Sequence, residues 1–191
     1  HADHVIKVAD YLVGMGEERS NGALMLLDYD TDEKDNGAAY RMNQGESISV
    51  LCRAYYIKKK KEYLDNALKM AIPFGYEYGR DGVKGYLSGN IAPWYLEGGK
   101  MILNGHIYTL FGLADLVNVS NEDWVKDHLN TGIRSVVDSI QYFDNGFWSW
   151  YWVDKPLYIA SAMYHNLHIC QLKALADMSG DKKLASYSEK F

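Results

Sequence analysis

The chain has 191 residues, a formal net charge of −5, 48% apolar and 14% aromatic content, which fits one domain long enough to bury a core. The acidic balance excludes a nucleic-acid phosphate track, which needs a concentrated basic surface. No apolar run approaches the ~18 residues of a membrane span and no basic-then-apolar signal segment opens the chain, so it reads as soluble, with no indication of compartment. Sixteen tyrosines and five tryptophans stand against five phenylalanines. Such polar-tipped aromatics suit sugar-facing clefts, and equally suit semi-buried packing.

In chain order, the first helix covers residues 5–15, with an apolar side of Val5, Val8, Ala9 and Leu12. A long connection, 16–42, contains "DYDTDEKDNG" at 28–37. It begins like a calcium loop, but Glu33 stands where the sharp turn needs glycine and no glutamate closes the twelfth position. It is expected to be an acidic solvated loop. An apolar helix starting near Gln44 then runs into "KKKK" at 58–61, a solvated turn, and an amphipathic helix follows. The second long connection, 74–99, contains "GVKGYL", a candidate for short hairpin strands. "MILNGHIYTLFGLADLV" at 101–117 is apolar nearly all round, and the helix after it carries one stripe: Val125, Leu129, Ile133, Val136 and Ile140. The third connection, 142–162, holds the strand candidate "FWSWYWV", and a last helix pair breaks at "MSGDK".

Three phrases repeat at a period of about sixty residues: "LCRAYYIKKKKEYLDNAL", "LFGLADLVNVSNEDWVKDHL" and "ICQLKALADMSGDKKLASYSEKF". Leu51, Leu110 and Ile169 correspond, as do Tyr63, Trp124 and Leu184. Each phrase is an αα-hairpin whose first helix belongs to an inner layer and whose second to an outer one. The expected fold is all-α, an α/α toroid or open arc of about seven helices spanning residues 1–191 as a single domain, with short β-hairpins in the long loops. All three long connections then lie at one end, beside the N-terminal ends of the inner helices, and functional residues concentrate on such loops.

That end gathers Gln44, Asn104, His106, Tyr164, His165 and His168 from helix starts, and Arg41, Trp94, Tyr95, Glu97, Trp148, Tyr151 and Asp154 from the loops. On a wheel with Tyr164 at zero, His168 falls at about 40° and His165 at about 100°, on the buried face. These polar residues are either a satisfied core or a site. His165 and His168 have metal-ligand spacing, but no motif supplies a third ligand, so no metal is assigned. Neither a nucleophile elbow, a P-loop nor a dinucleotide fingerprint is present. Cys52 and Cys170 read as small core hydrophobes.

"QGESISVLCRAY", "ILNGHIYTLFGLADL", "FDNGFWSWY", "YHNLHICQLKAL" and "SGDKKL" together resemble the C-terminal domain of D-glucuronyl C5-epimerases, in order and spacing, over residues 44–191. The resemblance implies an α/α barrel that inverts C5 of glucuronate in heparan-type polysaccharides, with no cofactor. It implies Glu97, Tyr151 and Tyr164 as catalytic residues. Gly98 stands where the family has a tyrosine, which leaves Tyr95 or Tyr86 as stand-ins, and Asp154 stands where the family has an arginine. His165 and His168 are expected as donors to a phenolate, Trp94 and Trp148 as sugar-stacking faces, and Asn104, Gln44, Tyr95 and Arg41 as further substrate contacts. The family carries a β-rich part before this domain, so docking to such a part, or a homodimer, is expected along the first helix. A lyase or hydrolase on the same acidic glycans and a non-catalytic glycan-binding domain remain alternatives.

Overall fold

A computed structural model describes residues 2–26, 41–78, 82–86 and 93–191, with Arg41 described by its backbone alone; the acidic stretch 28–37 lies outside them. Helix α1 (Ala2–Met15) is followed by an antiparallel pair, β1 (Gly16–Glu18) and β2 (Leu24–Leu26). Then come α2 (Arg41–Lys58), α3 (Lys61–Ala71), and the paired strands β3 (Lys84–Gly85) and β4 (Trp94–Tyr95). Next are α4 (Leu103–Val119), α5 (Asp123–Ser139), and the pair β5 (Trp150–Trp152) and β6 (Tyr158–Ile159). The last hairpin is α6 (Ala162–Ser179) and α7 (Lys182–Lys190). The α3 and α5 helices each end in a 3-10 turn, Ile72–Gly75 and Ile140–Phe143.

Hairpin breaks follow local chemistry. At the lysine run, Lys59 takes a left-handed φ of 53°, the conformation that ends a helix, and Lys61 begins the next. Asp181 caps α7 by accepting from Lys183 N and Leu184 N at 2.8 and 3.1 Å.

The α4 helix packs on α2 and also meets α6, so the first helices of the three hairpins are neighbours in the order α2, α4, α6. Contact with α2 is close because Gly45 and Gly112 face each other's helices: a Cβ on Gly45 would lie 2.5 Å from Thr109 Cα, and one on Gly112 would strike Gly45 O. Outer neighbours are tied by polar bridges. Tyr63 donates to Asp10 at 2.7 Å across α3 and α1, and Lys183 donates to Val137 O and Gln141 at 2.6 and 2.7 Å across α7 and the end of α5. Among the described residues no helix is long and apolar enough to cross a membrane.

On α1, Ala9 is fully buried and Val5, Val8 and Leu12 are partly so, against α2 and α3. An apolar groove of about 470 Å³ opens beside it, between the C-terminal halves of α2 and α4, lined by Val5, Tyr56, Ile57 and Val119 among others.

Candidate active site

Three inward polar side chains near the starts of α2, α4 and α6 perform one structural task in successive repeats, the two histidines at equivalent positions and the glutamine one turn earlier. Gln44 donates to Leu24 O and Met70 O at 2.6 and 3.0 Å and accepts from Leu26 N at 3.1 Å, clamping β2 to α3. His106 accepts from Tyr95 N at Nδ1 (3.0 Å) and donates from Nε2 to Gly132 O (3.0 Å), clamping β4 to α5. One repeat later, His165 accepts from Ser149 N at Nδ1 (3.2 Å) and donates from Nε2 to Phe191 O (2.7 Å). Each imidazole lies flat on a tryptophan, His106 on Trp94 at 4.1 Å and His165 on Trp148 at 3.7 Å. Burial pulls His106 down to about 4, so it stays neutral with both nitrogens satisfied.

Beyond the third clamp the connections and helix starts converge. Residues 97–100 form a tight turn in which Glu97 and Lys100 exchange main-chain hydrogen bonds of 2.9 Å. Its two central residues, Gly98 and Gly99, have φ of 53° and 73°, the two-residue geometry that glycine adopts without strain. That turn is the local reason for glycine at 98 and 99. It sets the Glu97 carboxylate against Gly105 in the first turn of α4, where a Cβ would collide with Glu97 Oε2.

From the third connection, Tyr151 on β5 lies 4.5 Å from Tyr164, ring centre to ring centre, with Asn104 beside its phenol. Desolvation, then the Tyr164 contact, then the negative charge of Glu97 push the Tyr151 phenol well above its ordinary range. Ser161 caps α6 by accepting from Tyr164 N at 3.4 Å, which fixes Tyr164 at the mouth of the helix. An open cleft of about 640 Å³ follows, walled by Tyr151, Trp152, Tyr158, Ser161 and Tyr164. Trp152 and Tyr158 stack at 4.6 Å on its wall, and Lys100 Nζ stands 5.2 Å above the Trp152 ring.

The structure thus brings Glu97, Asn104, Tyr151, Tyr164 and His168 together, with His168 stacked beyond Tyr151 at 6.5 Å. It places Gln44, Trp94 and Tyr95 elsewhere, in the scaffold. Trp94 is sandwiched between His106 and Phe143, and Tyr95 donates to His128 O at 2.7 Å; both are 2% exposed or less. Tyr86 is exposed on the second connection. Trp148 is half-buried, flat on His165, its Nε1 donating to Ala160 O at 2.7 Å. His165 has given its one N–H to Phe191 O, which leaves none for a phenolate. Asp154 accepts from Met101 N at 2.6 Å and so pins the third connection to the start of α4. The side chain of Arg41 lies outside the described residues. Sequence reasoning passed over Ser149, whose hydroxyl sits between His165 and His168; its only signal was a small polar residue alone among the aromatics of "FWSWYW".

Residues 25–191 match the family model described as D-glucuronyl C5-epimerase C-terminus. The whole chain also aligns with a D-glucuronyl C5-epimerase of Caenorhabditis elegans, 26% identical over 215 residues, of which it covers 35%. It therefore spans about a third of the length of that relative. With the match running through all three hairpins and their connections, the chain belongs to the family of D-glucuronyl C5-epimerase C-terminal domains.

Proposed function

We propose that this domain carries the proton-transfer site of a uronyl C5-epimerase, acting on glucuronate within an acidic polysaccharide. The observation that carries the reading is the convergence of Glu97, Asn104, Tyr151 and Tyr164 from four different segments at the edge of one aromatic cleft. Family membership supports it over elimination or glycoside hydrolysis.

The C5 proton of a uronate lies beside a carboxylate, so its removal places charge on a group already anionic. The reaction needs a base on one face of the sugar, an acid on the other, and stabilisation of the enolate-like carboxylate between them. In the first half the C5–H bond breaks toward the base and its electron pair spreads into the carboxylate. In the second a new C5–H bond forms from the opposite face. Tyr151 stays protonated, so it is the group with a proton to give. Tyr164, packed against it, and Glu97, across the turn, supply the other proton-carrying groups. Lys100, held over Trp152, is the cation placed to face the uronate carboxylate, since Asp154 cannot. The row of α2, α4 and α6 is read as part of an α/α toroid. The apolar groove beside α1 supports the expectation that a further domain or second copy packs there.

The test is exchange of the C5 hydrogen with deuterated solvent on a glucuronate polymer. Tyr164→Phe should reduce it by ~10²- to 10⁴-fold, the usual loss for a general acid or base. Its melting temperature should barely move, because one phenol hydrogen bond is worth only about 0.5 to 1.5 kcal/mol. Surviving exchange in the Phe variant would remove Tyr164 from the chemistry. An unsaturated product absorbing in the ultraviolet would show elimination instead of epimerisation.

A further inference from the structure

Ser149 is fully buried at the entrance to β5, its hydroxyl 2.9 Å from His165 Nδ1 and 2.8 Å from His168 Nδ1. The proton positions follow from what each partner can do. A main-chain oxygen only accepts, so His165 Nε2, 2.7 Å from Phe191 O, carries a proton. A main-chain N–H only donates, so His165 Nδ1, 3.2 Å from Ser149 N, carries the lone pair. Two lone pairs facing each other at 2.9 Å would repel, so the single proton of the Ser149 hydroxyl points at His165 Nδ1. The serine oxygen is then left to accept from His168. His168 therefore has its proton on Nδ1 and a bare lone pair on Nε2.

That Nε2 is buried and has no hydrogen-bond partner among the described residues. A buried acceptor left open is costly to the fold, so it calls for a use. The repeat argues against a packing role. The clamp made by His165 has its counterpart one repeat earlier at His106, but the counterpart of His168 is Thr109, whose hydroxyl turns back to donate to Gly105 O at 3.1 Å. The His168 ring lies within 19° of parallel to Tyr151, the residue that touches Tyr164.

We infer that Ser149 is a positioning residue that locks His168 in its Nδ1–H tautomer, keeping a buried, open hydrogen-bond acceptor on the ring that lies beyond Tyr151. A bare Nε2 can accept from a donor that reaches it, which an Nε2–H could not. The lock runs from Phe191 O through His165 and Ser149 to His168, and burial keeps His168 neutral, pulling it down to about 3. Its effect on proton transfer rests on the epimerase reading; the tautomer itself does not.

The experiment is long-range proton–nitrogen NMR on the whole chain labelled with ¹⁵N-histidine. Wild type should show His168 protonated at Nδ1 and bare at Nε2, and His165 the reverse. In Ser149→Ala, His168 should shift toward its Nε2–H form, and C5 exchange should fall roughly 10- to 100-fold, in kcat and not KM, as when the outer partner of a working histidine is removed. A wild-type His168 protonated at Nε2 overturns the inference, as does a tautomer unchanged in Ser149→Ala. Should the variant fail to fold, the wild-type spectrum alone decides. A shifted tautomer with unchanged exchange overturns the positioning role, and absence of exchange in wild type on uronate polymers defeats the epimerase reading while leaving the tautomer test intact.

Discussion

Three histidines on buried helix faces look alike in sequence and differ in how their nitrogens are used. His106 and His165 each have one nitrogen accepting from a loop N–H and the other donating to an outer-layer carbonyl. Only His168 retains an open nitrogen. The same contrast holds at the preceding helix position, where the third repeat has Tyr164 and the second has Gly105. There the missing side chain is what admits the Glu97 carboxylate. A substitution can therefore separate placement from stability. In Gly105→Ala the new methyl meets the far end of a flexible glutamate and not backbone, so the helix should gain about 0.5 to 1 kcal/mol from the alanine. Glu97 must swing away. The expected result is an unchanged or raised urea midpoint with C5 exchange reduced at least tenfold; full exchange would show that Glu97 needs no fixed position.

Among the described residues, the seven α-helices, three hairpins and a leading helix, were legible from the apolar period and the polar breaks, because the first and second helices of a hairpin differ in how far round their apolar residues extend. In the second and third connections one strand of each pair, β3 in "GVKGYL" and β5 in "FWSWYWV", was announced by glycine and aromatic content, and the partners β4 and β6 were not. Nor was the pair β1 and β2: its register rests on Gln44, a side chain far along the chain that grips Leu24 and Leu26. For the same reason sequence reasoning could place Gln44, Trp94 and Tyr95 at the right end of the helices without seeing that they face the scaffold. Periodicity reports which side is inward; it does not report which inward group finds a partner. The clearest element-scale constraint is likewise a pairwise one, the crossing of α2 and α4. A methyl at Gly45 would sit 2.5 Å from Thr109 Cα, with main-chain atoms Thr109 N and Tyr108 O also close, at 3.1 and 3.2 Å. Backbone cannot rotate aside, so Gly45→Ala should cost 1 to 3 kcal/mol or more by overpacking, roughly the range for extra methyl groups forced into a core. Chemical denaturation measures it. A neutral result would mean that the two helices do not cross this closely.

At the scale of the whole molecule, the buried histidines make the fold acid-sensitive, and the sign can be worked out. His106 is drawn down to about 4 by burial, partly offset by its hydrogen bonds to Gly132 and Tyr95; His168 is drawn to about 3 by burial and by the neighbouring His165. Unfolded, both titrate near 6.5. Between the two values the unfolded chain binds protons that the native chain does not, so stability falls as pH drops below about 6.5 and continues to fall toward 4 for His106 and 3 for His168. For His106 alone the full shift corresponds to about 3 kcal/mol, an appreciable part of the roughly 5 to 15 kcal/mol that holds a domain together. Urea midpoints should therefore be flat from pH 8 to 7 and decline steadily below about pH 6. His106→Gln, which cannot bind the proton, should flatten part of that decline even if it lowers stability at pH 7. A decline equally steep in His106→Gln would place the acid sensitivity in the carboxylates instead. Since His106 clamps β4 to α5 and its partner Tyr95 adjoins the turn that carries Glu97, the first acid-induced opening should loosen the second connection, seen as faster hydrogen exchange at Tyr95 and Leu96 than in α4.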